Sequence, residues 1–146
     1  MRNVLSRSGA LCALLLALGG TAQADEALFK QNCSSCHGEQ AEGIPGLAPP
    51  LVHAQLWQGL GDNAVAYITG VMASGMSGQL TAQGQMYIGL VMPPQRHQAP
   101  EDLASVANHV LQLNGVSARV SAADVEQARA ASLGHAELRS LRPKNL

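Results

Sequence analysis

Apolar residues between Pro100 and Gly115 recur every three or four positions, which places them on one face of a helix. Pro100 suits the first position of a helix, and the pair Asn114-Gly115 suits its end. We therefore predict an amphipathic helix here, with its apolar stripe facing the core. The stripe consists of Leu103, Val106, Ala107, Val110 and Leu113.

Two earlier segments have weaker helical patterns. Residues 25–37 begin with two acidic residues, which favour the positive end of a helix dipole, and they contain no proline and no glycine before the end of the segment. Residues 61–75 carry apolar side chains on one face. We predict one helix that begins near Asp25 and another that begins near Asp62. The apolar face of the second helix consists of Val65, Ile68 and Met72.

Glycine and proline interrupt two long stretches of the chain. Residues 38–51 contain three glycines and three prolines, which predicts a long loop. Residues 74–94 are again punctuated by glycine and end in Val-Met-Pro-Pro. No segment shows the period-two alternation of β-branched residues that is typical of a strand. The predicted fold class is therefore all-α.

The segment after the amphipathic helix, residues 116–146, is predicted to be an appended helical tail. Ser121 followed by Asp124 predicts a capping box at the start of a further helix. The segment is rich in alanine and only weakly amphipathic. The pattern leaves open whether this tail packs on the domain or extends away from it.

The N-terminus has the features of a removable signal peptide. Arg2 and Arg7 precede an apolar run over residues 10–18, and residues 21–24 offer small side chains at the positions that a signal peptidase reads. The run is shorter than the roughly 20 residues that cross a bilayer as a helix. We predict cleavage after Ala24 and a mature protein without a membrane anchor.

The chain is expected to comprise a signal peptide (1–24), one domain (25–115) and the tail (116–146). A lipid anchor at Cys12 is disfavoured, because Leu11 is larger than the residue that usually precedes a lipidated cysteine. Loss of the two arginines in the signal segment moves the formal net charge from −1 to −3. Without a basic patch, the sequence does not favour a nucleic-acid partner.

Residues 33–37 read Cys-Ser-Ser-Cys-His. The spacing C-x-x-C-H can form a redox disulfide, contribute to a zinc site or carry covalent haem. On a helix, Cys33, Cys36 and His37 stand at positions i, i+3 and i+4, which lie on one face. Three anchors would then converge on one flat object, as covalent haem requires.

The other interpretations of this motif fit less well. Zinc would need a second pair of ligands, and the mature chain has neither another cysteine pair nor two histidines at zinc-finger spacing. A thioredoxin-like redox pair would need strands, and a structural disulfide would leave His37 without a role. The chain has only four aromatic residues, so a haem would also fill the core. One covalent haem c is the predicted cofactor.

An electron carrier usually has a second axial ligand, and methionine in this position raises the reduction potential of the haem. Met92 is the favoured candidate, because Pro93 and Pro94 follow it and hold the loop in a stiff, extended conformation. Met72 better suits core packing. Three further candidates remain open: Met76, Met86 and His97.

Over residues 26 to about 114, the chain resembles the class I c-type cytochromes. The resemblance rests on Cys-Ser-Ser-Cys-His-Gly, on the proline loop Gly-Leu-Ala-Pro-Pro-Leu at 46–51, and on Met-Pro-Pro before an amphipathic last helix. Residues 75–94 are similar to the segment of bacterial cytochromes in which a glycine-rich, hairpin-like excursion leads to the ligand methionine. Those cytochromes commonly serve periplasmic dehydrogenases or reductases.

The resemblance implies that the first and last helices pack crosswise around a covalent haem, with Phe29 against residues 103–110. It also implies that the Pro49 carbonyl accepts a hydrogen bond from the imidazole of the proximal ligand. Three tail arginines, at 129, 139 and 142, are most simply a solvated face, although they could contact a partner or a haem propionate. The implied site residues are Cys33 and Cys36 for the thioethers, His37 as the proximal ligand and Met92 as the distal ligand.

The function implied by this resemblance is that of a periplasmic single-electron carrier, not an enzyme. Its donor would be a periplasmic dehydrogenase or another redox protein, and its acceptor a cytochrome, a reductase or an oxidase. One alternative is an obligate electron-transfer subunit of a dehydrogenase complex, in which residues 116–146 dock. The other is a haem enzyme or gas sensor with a labile distal ligand.

Overall fold

The computed structural model describes residues 20–144, and its first helix, α1, spans Gly20–Asn32. This helix begins upstream of the predicted start at Asp25. Most of the predicted signal peptide, residues 1–19, lies outside the described residues. A second helix, α2, spans Ser34–His37 and continues the first almost without interruption, because the Cys33 amide still donates to the Phe29 carbonyl at 2.8 Å.

The remaining helices follow in chain order and include the predicted amphipathic helix. They are α3 (Ala54–Leu60), α4 (Ala64–Ser74), α5 (Pro100–Leu113), α6 (Ala122–Ala131) and α7 (His135–Ser140), with a 3₁₀ turn at Gly61–Asn63. The start predicted near Asp62 falls in the 3₁₀ turn, just before α4. The apolar periodicity of the sequence did not predict α3, in which Trp57 is buried.

The glycine-punctuated stretch contains four short strands, so the fold is mainly helical but not purely α as predicted. They are β1 (Met76–Ser77), β2 (Leu80–Ala82), β3 (Gln85–Tyr87) and β4 (Val91–Met92). β1 pairs with β4 and β2 pairs with β3, both antiparallel. Strands of two or three residues are too short for alternation to be visible in the sequence.

Helices α1 and α5 pack against each other, as the resemblance to class I c-type cytochromes implied. Phe29 is fully buried, and its ring centroid lies 5.3 Å from that of His109 in α5. Most of the predicted stripe is buried, but Leu113 is 43% exposed. Asn114 is buried instead, because it follows Val110 by four positions and so lies on the same face of the helix. Leu113 falls outside this buried face.

The side chain of Asn114 connects the end of α5 to the loop before α3. Its Oδ1 accepts the His53 amide at 2.7 Å, and its Nδ2 donates to the carbonyls of Leu51 and Val110 at 2.9 and 2.8 Å. The indole of Trp57 donates to the same Leu51 carbonyl at 2.7 Å. Asn114 therefore ends the helix, as predicted, and also fixes the neighbouring loop.

The tail packs on the rest of the molecule, which answers the question that the sequence left open. α6 lies against α4 and α5, and α7 lies against α4 and β1. Val125 and Leu138 are fully buried. Leu138 fits over Gly70, where an added Cβ would come within 2.5 Å of its Cδ2. The predicted capping box at Ser121 is present.

Among the described residues, no helix combines the length and the apolar character needed to cross a membrane.

Candidate functional site

A cavity of about 210 Å³ opens between the helices and the short strands. Most of the residues that line it are apolar, and they come from α1 to α5, the proline loop, the strand segment and the tail. The four residues predicted to form the site all line this cavity: Cys33, Cys36, His37 and Met92. The structure therefore brings the N-terminal motif and the later methionine to one place.

His37 is held at the cavity wall by a contact within the same stretch of chain. Its Nδ1 lies 3.1 Å from the Pro49 carbonyl, the partner that the family resemblance implied. The carbonyl can only accept, so Nδ1 carries the proton and Nε2 keeps a free lone pair. Burial lowers the pKa of His37, and the bond to Pro49 opposes this only in part. The ring is therefore neutral at pH 7 and can act as a metal ligand.

The proline loop is fixed to the end of α2 by main-chain bonds. The Gly43 amide donates to the His37 carbonyl at 2.7 Å, and Ile44 and Ala48 bond across the loop. Gly43 has a φ of +77°, and an added Cβ would lie 2.5 Å from the Pro50 nitrogen. Only glycine allows the loop to turn back this closely and present the Pro49 carbonyl.

The two cysteines differ in their surroundings. Cys33 is half-buried and Cys36 is exposed. Burial raises the pKa of the Cys33 thiol to about 11, with the neighbouring Cys36 as a smaller cause. A reactive redox cysteine has a lowered pKa, so this environment does not favour the thioredoxin-like interpretation.

Met92 is positioned by pairing with a distant strand. It lies opposite Met76 in the register of β1 and β4, so both side chains are on the same face of the small sheet. Gly75 has a φ of +75°, and an added Cβ would lie 2.4 Å from the Met92 carbonyl. Beyond the strands, the Gln95 amide donates to the Met72 carbonyl at 2.7 Å.

The structure narrows the list of alternative distal ligands. Met86 is 56% exposed and does not line the cavity, and His97 is also exposed and away from it. Met72 and Met76 both line the cavity and are buried. The placement of Met76 depends on a two-residue pairing, for which the sequence contains no signal.

The sequence left the role of the tail arginines open. Arg142 lines the cavity beside Tyr67, whereas Arg129 and Arg139 do not. Arg142 belongs to the last described part of the chain, far in sequence from the Cys-Ser-Ser-Cys-His motif. Its approach to the cavity follows from the packing of α7, which composition and periodicity did not reveal.

The residues around the cavity fit a covalent haem. Two thiols, one unpartnered imidazole nitrogen and methionine thioethers, that of Met92 among them, line an apolar space, which matches the groups that bind haem c. Within residues 20–144, no three His, Cys, Asp or Glu side chains come together in a way that could hold a metal ion. The zinc interpretation therefore lacks a ligand set in this part of the chain.

Comparisons with known proteins agree with this fit. The model of the cytochrome c family matches residues 23–114. One cytochrome c-552 of Thermus thermophilus is 34% identical over 131 residues, covering 84% of this chain and 87% of that protein. A second Thermus thermophilus cytochrome c-552 is 31% identical over 117 residues, covering 76% and 88%.

A further similarity is to one part of a larger protein. Subunit CcoP of the cbb3-type cytochrome c oxidase of Rubrivivax gelatinosus is 31% identical over 104 residues. The match covers 71% of this chain but only 30% of that subunit.

Proposed function

Since this chain belongs to the cytochrome c family and is an electron carrier with covalently bound haem c, we propose that Cys33 and Cys36 form the two thioether bonds. His37 is the proposed proximal ligand and Met92 the proposed distal ligand of the iron. The family gives the domain the class I cytochrome fold. The observation that best supports this assignment is that all four side chains line one cavity.

His37 is suited to its proposed role by the bond on its other ring nitrogen. When bound, haem c supplies a one-electron couple between ferric and ferrous iron. Donation from Nδ1 to the Pro49 carbonyl fixes the tautomer and the direction of the ring, so that Nε2 is the nitrogen available to a metal. The same bond makes the imidazole a better electron donor.

Met92 contributes a thioether, which favours the ferrous state and so raises the reduction potential. The β1–β4 pair and the two prolines after Met92 keep this side chain in place. With His37 and Met92 both bound to the iron, no coordination site would be left for a substrate. The residues of the site therefore support electron exchange and no bond-making chemistry.

Redox partners are expected to dock where the cavity meets the surface. Leu47 and Val91 line the cavity and are 47% and 68% exposed, so they form an apolar rim. Brief redox encounters bury less than about 1,200 Å² in total. We propose a periplasmic dehydrogenase or a similar redox protein as the donor, and a cytochrome, a reductase or an oxidase as the acceptor.

The proposed location of the protein is the periplasm. The support comes from the basic start, the short apolar run and the small residues at 21–24, which together resemble a cleaved signal peptide. Covalent attachment of haem to Cys33 and Cys36 would then follow export.

A second candidate function is that of a permanent subunit in a larger redox complex. The similarity to part of the oxidase subunit CcoP favours it, because a domain of this kind occurs there within a longer protein. Gel filtration of the protein released from the periplasm separates the two candidates. A free carrier elutes at the mass of the mature chain, and a subunit elutes with its complex.

Replacement of the proposed distal ligand tests the assignment. Met92→Ala should keep the covalent haem, lose the weak absorption band that ferric iron shows with a sulfur ligand, and lower the reduction potential. Met86→Ala is the matched control, because that methionine is exposed and away from the cavity. If Met92→Ala keeps the band, the ligand is another methionine of the cavity, and either Met76→Ala or Met72→Ala should then remove it.

A further inference from the structure

Arg142 reaches the cavity from the tail, outside residues 23–114 that the family model matches. It is half-buried, and two hydrogen bonds hold its guanidinium group. Nη1 donates to the Tyr67 hydroxyl at 2.8 Å, and Nη2 donates to the Thr81 carbonyl at 2.6 Å. The guanidinium carbon also lies 5.9 Å from the centre of the Tyr67 ring.

The charge of Arg142 has no acidic partner within residues 20–144. The salt bridges described there join Lys30 to Glu26 and Arg129 to Glu126. A guanidinium group carries five N–H donors, and the two bonds above use only two of them. A partly buried cation is costly unless an anion compensates it. The cavity wall beside Arg142 therefore lacks a negative group.

Tyr67 adds a second donor at the same place. It is buried and lines the cavity, and its hydroxyl oxygen accepts from Arg142, which leaves its own O–H free to donate. The field of the guanidinium reaches further: the pKa of the neighbouring His53 is lowered by burial and, to a smaller extent, by Arg142. A planar guanidinium beside a free hydroxyl is a typical receptor for a carboxylate.

We propose that Arg142 and Tyr67 bind a carboxylate at the cavity wall, and that this carboxylate is a propionate of the haem. The inference rests on the proposed function, since it requires that this cavity holds the haem. A haem carries two propionates, so the anion that Arg142 lacks arrives with the cofactor. The tail thus contributes directly to the cofactor site.

The competing source of a carboxylate is an acidic residue of a redox partner. Arg142 also borders a neighbouring, more open pocket, which Arg139 and Lys144 line as well. The cavity side is favoured because Tyr67, which lines the cavity and not the open pocket, holds Nη1 of Arg142 there without help from any partner. A haem propionate would bind Arg142 in the isolated holoprotein, whereas an acidic residue of a partner would bind it only in the complex.

The test uses the isolated holoprotein and three variants. Arg142→Gln should lower the reduction potential, because the loss of a positive charge near the iron favours the ferric state, and it should shift the resonance Raman bending modes of the propionates. Arg142→Lys keeps the charge but not the two-pronged geometry of the guanidinium group. Its reduction potential should therefore lie between those of the parent protein and Arg142→Gln. Arg119→Gln removes an exposed arginine of the same tail that does not line the cavity, and it should change neither property.

Two outcomes would overturn the inference. One is an unchanged potential and unchanged Raman modes in Arg142→Gln while covalent haem and the sulfur-ligand band persist. The other is an effect that appears only when an acidic partner is added. Failure of the proposed function would look different, since the parent protein itself would lack covalent haem or the sulfur-ligand band. If Arg142→Gln does not fold, the reduction potential and the propionate Raman modes of Tyr67→Phe and Arg142→Lys are compared with those of the parent protein instead.

Discussion

The side of the cavity that carries His37 is built from neighbours in sequence, whereas the side that carries Met92 is built from distant segments. On the first side, the Pro49 carbonyl that orients His37 lies within the same loop. On the second, Met92 pairs with Met76, and β1 is in turn held by the tail. His135 binds there through both ring nitrogens, to the Ser77 hydroxyl at 2.6 Å and to the Ser74 carbonyl at 3.0 Å.

This difference indicates how each side responds to change. The geometry around His37 depends mainly on a short helix and a proline loop, whose own bonds join residues close in sequence. The geometry around Met92 depends on strands of two residues, which have little stability of their own. Changes in the tail should therefore affect the Met92 side first, and changes in the motif should affect the whole protein.

The largest effect is expected from the motif. Cys33→Ala combined with Cys36→Ala should leave no haem on the denatured protein in a haem-stained gel. The protein should also lose most of its helical circular dichroism, because the apolar cavity then has nothing to fill it. Cys12→Ala, in the predicted signal segment, should leave the haem content unchanged. Normal pigment in the double variant would show that attachment occurs elsewhere.

A smaller effect, confined to the Met92 side, is expected from the tail. Leu138→Ala removes a fully buried side chain that rests on Gly70, and such truncations cost about 2–5 kcal/mol of unfolding free energy. In urea, the sulfur-ligand band should disappear at a lower concentration than in the parent, with the covalent haem retained. Leu113→Ala is the control, since that residue is 43% exposed and should cost under about 1 kcal/mol. Equal losses in the two variants would contradict the proposed role of the tail.

The smallest effect concerns pH and the contact between α1 and α5. Burial lowers the pKa of His109, although Glu26 and Asp25 oppose this. The unfolded chain therefore takes up a proton near pH 6.5 while the folded chain resists it, so unfolding becomes easier as the pH falls through this range. His109→Phe should make the unfolding free energy less dependent on pH between 5.5 and 7.5 in urea titrations. Some dependence should remain, because burial also lowers the pKa of His53. An unchanged slope would contradict this account.

The sequence predicted best what neighbouring residues determine. The helix from Pro100, the cap at Ser121 and the loop around Pro49 each follow from a few adjacent residues. The cysteine and histidine spacing of the motif pointed to haem for the same reason. These features depend on local backbone preferences, which can be predicted from the types of the adjacent residues.

What the sequence did not predict depends on contacts between remote segments. β1 and β4 are strands only because they pair with each other, and neither has a pattern of its own. The sequence did not decide whether the tail packs on the domain. The tail is anchored by Leu138, which fits over a glycine on another helix, and periodicity does not reveal such a fit. Leu113 was misplaced because the buried face moves around the helix to Asn114, a polar residue that a search for apolar positions passes over.

The buried amide of Asn114 also bears on how quickly the molecule can assemble. It joins this residue to His53 and Leu51, at sequence separations of 61 and 63 positions. Contacts across such separations form slowly, because a large loop of chain must first close. The segment that presents Pro49 can fold back early, within its own loop, but it gains its final rigidity only when α5 arrives. Docking of this helix is therefore expected to limit the folding rate.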